Sequence, residues 1–450
     1  NVGGRHVGYG DGVSRSRDGG KTWENLGLRE SEHIGRILIH PDDPDVAWVA
    51  AQGPLWSAGG ERGLYLTTDG GETWAKTLGG DEYTGVNDVV AQPGDPDVLL
   101  ASTHQRFRDV AALVNGGPGS GIHRSLDGGR TWTEITTGLP AEDMGKIGLA
   151  FSPHDPQVAY AAIELARRTG GFWRSEDGGA SWTRMSDTIS RGTGPHYYQE
   201  IWPSPHAFDR VYFADVRMRV TEDGGRTFRI MPETDKHVDN HALAFSPHDP
   251  DYLLAGTDGG LYESWDLGAT WKFVTNLPVT QFYKIALDDA EPFYHVIGGT
   301  QDNNTQYAPV RTDNRHGVRN ADWRVVLGAD GHQPAIEPGD PDVLYASAQQ
   351  CRFHRIDRPT GEITPIRPLP GAGQPEERWN WDGPLEISVQ DPARLYIGSQ
   401  RLWRSDDRGD SWTALSGDLT RGEDRLRRPM MGRVQSIDAA WDLLAMSMYG

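Results

Sequence analysis

Short apolar runs separated by turn residues recur along the whole chain. Eight times a turn rich in Pro or Asp runs into a few β-branched, aliphatic or aromatic residues. The phrases are HPDDPDVAWVA from His40, QPGDPDVLLAS from Gln92, SPHDPQVAYAA from Ser152, SPHAFDRVYFA from Ser204, SPHDPDYLLAG from Ser246, LDDAEPFYHVIGG from Leu287, EPGDPDVLYAS from Glu337 and VQDPARLYIGS from Val389. Pro presets φ, Asp bonds its own backbone, and the run that follows is too short for a helix. Each phrase therefore predicts a tight turn feeding a strand. An eight-residue phrase alternates with these turns: SRDGGKTW from Ser16, TTDGGETW from Thr67, SLDGGRTW from Ser125, SEDGGASW from Ser175, TEDGGRTF from Thr221, SWDLGATW from Ser264 and SDDRGDSW from Ser405. The spacings between its Asp positions run 51, 58, 50, 46, 43 and then 141, and eroded copies around Asp313 and Asp357 fill the last gap. Nine units of about 48 residues result, each with four short strands: one on either side of the Pro/Asp turn and one on either side of the Asp phrase.

Four antiparallel strands per 40 to 50 residues make the blade of a β-propeller. The expected fold is all-β: a single many-bladed propeller over residues 1–450, with about nine blade units visible. Nine Asp phrases against eight complete preceding hairpins leave the first blade without its inner strands. The stretch GRVQSIDAAWDLLAMSMYG from Gly432 is the candidate to supply them; otherwise the chain reads as cut from something longer at both ends.

Composition narrows the partners. The 64 acidic and 44 basic side chains leave a net charge of −20, which disfavours a nucleic-acid backbone or an anionic membrane. No apolar run approaches the roughly 18 residues a membrane helix needs. High Gly, Pro and Trp content, 56, 29 and 16 residues, suits an all-β chain with many turns. Cys351 is the single cysteine, which excludes an internal disulfide but not an exported protein, and is expected to be a buried or half-buried strand residue without chemistry. No leader segment is visible.

The eight-residue phrase resembles the Asp-box, or BNR repeat, of sialidases, of xyloglucan-cleaving glycoside hydrolases with paired propellers, and of the sortilin (VPS10) propeller. HIGRILIHP from His33, ERGLYLTTDGGETW from Glu61, HVDNHALAFSP from His237, GGTQDNNT from Gly298 and WNWDGP from Trp379 resemble the bacterial sortilin-type or BNR-repeat glycosyl hydrolases. The resemblance implies a ten-bladed ring in sortilin and seven-bladed rings in the hydrolases. It implies an exported, extracytoplasmic, carbohydrate-active protein with substrate at the central mouth, and for the xyloglucan family a second propeller in the full-length protein. The alternative is a sortilin-like scaffold that holds a peptide or protein without turnover. The sialidase Arg-Ile-Pro start and sortilin's Cys-rich module are not in this chain.

The box itself carries fold rather than chemistry, because its Asp and Ser/Thr cap turn donors and its Trp packs between blades. Chemistry is expected where the inner strands begin and in the loops between second and third strands, which open on the same mouth. Those two places offer His33, Arg36, Gln52, Tyr83, Asn87, His104, Asp143, Lys146, Glu164, Glu200, Asp215, Arg217, Asp258, Gln281, Tyr283, His332, Gln349, Gln400 and Gln435. The sharpest constellation is His237, Asp239 and His241, which on a strand would share one face at about 6 to 7 Å spacing. That row suits a catalytic carboxylate with tuned histidines, a divalent metal completed by Asp302 or Asp330, or plain structural hydrogen bonding. Glycoside hydrolysis needs two carboxyl groups across a cleft. Asp239, Asp302, Asp330, Glu200 and Asp382 are the mouth carboxylates, and Asp239 with Asp302 or Asp330 is the expected catalytic set. His196, Tyr198, His237, His241, Gln301, Asn303, Trp379, Asn380 and Arg433 are the expected substrate contacts, the aromatics among them offering faces for a sugar.

Overall fold

The structure is a computed structural model, and it describes residues 8–108, 113–166, 169–188, 200–277, 279–371, 373 and 376–422. The chain divides after Val274 into two compact units. Among the described residues the first unit holds a two-stranded sheet, Ser14–Arg15 with Glu24–Asn25, five four-stranded antiparallel sheets over 34–78, 84–135, 147–186, 201–230 and 240–273, and a small ribbon of Phe107–Arg108 with Leu113–Val114 inserted in the second of these five. The second unit holds three such sheets, over 284–327, 334–365 and 385–414. In every four-stranded sheet the spatial order follows the chain order, so each is a meander, the blade of a propeller. The fold is an all-β, many-bladed propeller. The sheet at Ser14 and the eight four-stranded sheets are called blades 1 to 9 in chain order. Blade 1 shows its outer pair of strands, as its repeat count requires, and the stretch from Gly432 lies outside the described residues.

Local chemistry explains the outer hairpins. In the box at Asp127, Ser125 Oγ donates to Asp127 Oδ1 (2.8 Å) and accepts from the Gly129 N–H (2.9 Å). Thr131 gives Asp127 both its N–H (2.9 Å) and its hydroxyl (2.6 Å). The same closed circuit forms at Asp18, Asp69, Asp177, Asp223, Asp266 and Asp407. Gly129 sits at φ +77°, and a Cβ there would lie 2.6 Å from Trp48 Nε1, so both backbone and space demand glycine.

The box tryptophan then leans on the blade before it. Trp74 Nε1 donates to Leu26 O (2.9 Å), Trp271 Nε1 to Pro232 O (3.0 Å) and Trp412 Nε1 to Ile366 O (2.5 Å). Phe228 takes that place in blade 5 and meets Phe172 edge-on at 5.1 Å. Between such contacts lie apolar layers. Leu100 and Ile122 of blade 3 pack on Ile147, Leu149, Ile163 and Trp173 of blade 4. In the second unit Ile297 and Tyr307 pack on Ile336, Leu344 and Ile356.

The boxes make the fold sensitive to strong acid. The hydroxyl and N–H four positions on hold Asp69, Asp127 and Asp407 at about 2. A carboxyl with a depressed folded pKa stabilises fully above its unfolded value near 4, and that stabilisation is lost as pH falls through about 2. Far-ultraviolet circular dichroism during acid titration should show cooperative loss of sheet below pH 4, with Asp127→Asn less stable at pH 7 and less sensitive to acid. An unchanged profile in that variant would remove the box from the acid response.

Candidate functional site

Each unit presents polar groups at the starts of its inner strands. Blade 6 of the first unit contains the HVDNH segment. Its inner strand is Asn240–Phe245, so His237 and Asp239 precede the strand rather than lie on it. Asp239 adopts φ +60°, and the ladder slips between Asn240 and Ala242, which leaves His241 in a bulge. The row of His237, Asp239 and His241 on one strand face is therefore not formed, but the bend brings a ring nitrogen of His237 and a carboxylate oxygen of Asp239 within 4.8 Å of each other, close enough for both to reach one cation. His241 Nε2 instead bonds Asp258 Oδ1. His237 Nδ1 lies 2.8 Å from Val238 O, and a carbonyl only accepts, so Nδ1 carries the proton.

A buried ion pair shapes this segment. Lys236 and Glu233 have side chains 0% and 1% exposed, with Nζ 2.9 Å from Glu233 Oε1. Lys236 Nζ also donates to His237 O (2.9 Å) and Asn240 Oδ1 (2.6 Å). Asn240 Nδ2 returns to Glu233 Oε1 (3.0 Å) and reaches Val216 O (3.1 Å), while the Asp239 N–H donates to Val216 O (2.7 Å). Sequence reasoning missed Lys236 and Glu233, because a charged pair four positions from a turn reads as solvated surface.

The inner ends of blades 2 to 4 are joined by buried polar contacts. Gln52 Nε2 donates to Asn87 Oδ1 (2.6 Å), and Asn87 Nδ2 to Ile147 O (3.0 Å). Arg36 Nε bonds Asp88 Oδ1 (2.7 Å), while Asp88 Oδ2 accepts the Leu149 N–H (3.1 Å). Asn115 Nδ2 donates to Glu164 Oε2 (2.9 Å). Burial, then Arg106, pushes His104 down to about 3 and His33 to about 4, so both rings are neutral at pH 7. Burial also lowers Lys146, which faces Glu200, Asp88 and Glu164. Arg62 and Arg106, unforeseen in the sequence, are buried and donate to the loop carbonyls of Gln52 (2.8 Å) and Gly53 (2.7 Å). This set fastens three blades and holds the Gln52 loop rigid.

In the second unit the GGTQDNNT phrase ends the strand His295–Gly299 and turns through residues 300–304. A Cβ on Gly299 would lie 2.4 Å from His332 O, so this glycine lets the loop meet the 328–333 segment, while Gly298 makes room for the Phe282 ring (2.3 Å). Asp302 and Asn304 adopt φ +64° and +69°. The meeting brings two expected residues together: the Asp302 N–H donates to Asp330 Oδ1 (3.3 Å). Gln301 accepts from the Tyr283 hydroxyl, and the Tyr283 ring stacks on His332 at 4.9 Å and 18°. Trp381 meets His332 edge-on at 6.1 Å. Asn303 Nδ2 donates to Gln301 O (3.3 Å) within the same loop. Asp302 thus follows Gln301, which holds the Tyr283 hydroxyl, and Asp330 lies two residues before His332, which stacks on Tyr283 and meets Trp381.

The remaining expected contacts fall elsewhere. Trp379 packs on Phe353 (6.2 Å, 75°) under the Arg367 guanidinium (5.5 Å). Asn380 is exposed; its carbonyl lies 3.3 Å from Cys351 Sγ and its side chain accepts the Trp381 N–H (2.8 Å). Cys351 is buried at φ +52° in a turn rather than a strand, and burial pushes its thiol up to about 12. His196, Tyr198 and Arg433 lie outside the described residues. No described helix is long and apolar enough to cross a membrane.

Repeated four-stranded meanders, closed by Asp-box turns and joined through box aromatics, define an Asp-box β-propeller protein. The profile described as "Sortilin, neurotensin receptor 3" matches residues 11–147 and 170–328, and the chain belongs to this Sortilin-Vps10 family. Among curated proteins it is similar to a xyloglucanase of Paenibacillus sp, 24% identical over 374 residues, covering 78% of this chain and 29% of that protein. It is also similar to xyloglucanase Xgh74A of Acetivibrio thermocellus, 27% identical over 246 residues, covering 47% of this chain and 28% of that protein. The chain thus spans less than a third of these relatives' length. A solved structure similar to it is the GH74 xyloglucanase of Xanthomonas campestris, 15% identical, covering 91% of this chain and 75% of that one with a TM-score of 0.39.

Proposed function

We propose that this chain is part of an exported glycoside hydrolase acting on a polysaccharide or oligosaccharide, with substrate at the mouth formed by the inner-strand starts. The observation that carries the reading is the alignment of 78% of the chain with a xyloglucanase. The hydrogen bond from the Asp302 backbone to the Asp330 carboxylate, on segments that also carry the stacked Tyr283 and His332, supports it, since glycoside hydrolysis uses two carboxyls and aromatic faces stack on sugars. Asp302 and Asp330 are the proposed catalytic groups of the second unit. Gln301 and Asn303 are proposed to bind sugar hydroxyls. Asp239, with His237 and His241, is a proposed acidic contact of the first unit.

The test is reducing-sugar release from a panel of neutral β-glucans, xyloglucan included, by the full-length gene product and its Asp330→Asn variant. Release by the wild type that collapses in the variant supports the assignment. Equal release in both overturns the role of Asp330. The family match favours a second reading, a scaffold that binds a peptide or protein without turnover. Absence of release from every glycan, with saturable peptide binding, would favour it.

A further inference from the structure

The box tryptophan fills the seam between one blade and the outer strand of the blade before it. Blade 8 lacks that residue. Its eroded box closes as a tight turn, with the Thr360 N–H on Asp357 Oδ1 (2.9 Å) and the Gly361 N–H on Asp357 O (2.8 Å). Glu362 and Ile363 follow where other blades place the indole. Between the outer strands Arg324–Leu327 of blade 7 and Glu362–Pro365 of blade 8 a cavity of about 420 Å³ remains, a size usual for small-molecule sites.

The walls are of two kinds. Val325 and Ile363 give apolar faces to a flat ring. Tyr307, only 4% exposed, lines the floor, and its hydroxyl has no hydrogen-bond partner among the described residues. Buried hydroxyls are seldom left unpaired, because their lost hydration is then uncompensated. Arg358 lies 5.8 Å from the Tyr307 ring centre and is paired with Asp342, whereas Arg324 also lines the cavity and forms no ion pair among the described residues. Asp322 also lines the cavity and is committed to Arg319 (3.1 Å). His295 stacks on Tyr307 at 4.9 Å and holds Asp288 through Nδ1 (2.8 Å).

We propose that the slot between blades 7 and 8 binds a planar aromatic ring bearing a carboxylate. The ring occupies the seam left by the missing tryptophan, between Val325 and Ile363, and the carboxylate accepts from the Tyr307 hydroxyl and the Arg324 guanidinium. The slot lies at the His295 end of the strand His295–Gly299, opposite the Asp302 loop, and does not depend on the hydrolase reading.

Isothermal titration of the expressed chain with indole-3-acetate, indole and acetate tests this. Indole-3-acetate should bind saturably, about tenfold tighter than indole, as one charge-assisted contact implies, and acetate should show no saturation. Arg324→Gln should reduce indole-3-acetate to the affinity of indole. Ile363→Trp, which refills the seam, should abolish both; should that variant fail to fold, Val325→Trp serves from the opposite wall. Lack of saturable binding by either aromatic probe overturns the proposal, as does binding that survives a folded seam-filling variant.

Discussion

Asp330→Asn in the full-length protein is expected to lower glycan turnover by about 10²–10⁴-fold, the usual contribution of a positioned acid or base. Asn keeps an acceptor of the same size where Asp330 Oδ1 takes the Asp302 N–H, so the loop contact and the melting temperature should persist. Only the ionisable group is lost. Asp302→Asn should produce a loss of the same order, because neither carboxyl substitutes for the other across a glycosidic bond. Rates per folded enzyme, measured beside the two melting curves, decide the matter. Turnover within a factor of three of wild type in both variants would dismiss this pair as the acid and its partner.

Lys236→Met should cost about 3–5 kcal/mol of unfolding free energy in denaturant titration. The variant strands Glu233 in a site where both side chains are at most 1% exposed. It also strips donors from His237 O and Asn240 Oδ1. The double variant Lys236→Met with Glu233→Leu should recover part of that loss, since neither charge is then left alone in the core. A double variant as unstable as the single one would shift the explanation from the stranded charge to the lost hydrogen bonds. Because these groups hold the turn at Asp239, the histidine signals of His237 and His241 in NMR spectra should move in the single variant even where it remains folded.

The two sites differ in how far they were legible. Polar residues at inner-strand starts and second-to-third-strand loops were expected to converge, and Gln52 with Asn87 and Arg36 beside Asp88 do meet across blades. The Asp302 backbone also meets the Asp330 carboxylate, beside a Gly299 whose need is visible only once the loop abuts the 328–333 segment. The row of His237, Asp239 and His241 failed as a reading because period-two alternation assumes extended backbone throughout. A positive φ at Asp239 and a bulge at His241 break the period, in a segment held by the buried Lys236 and by the Val216 carbonyl.

The blade architecture was written in the chain itself, since an Asp box closes through hydrogen bonds spanning four residues and a Pro/Asp turn is equally local. Repetition of such short-range circuits suffices to specify a series of meanders without knowledge of their neighbours. The burial of Lys236, Arg62 and Arg106, the meeting of the Asp302 loop with the Asp330 segment, and the open seam at blade 8 were settled only when blades packed on one another. Those features depend on the water that packing removes, and desolvation has no local signature along a chain.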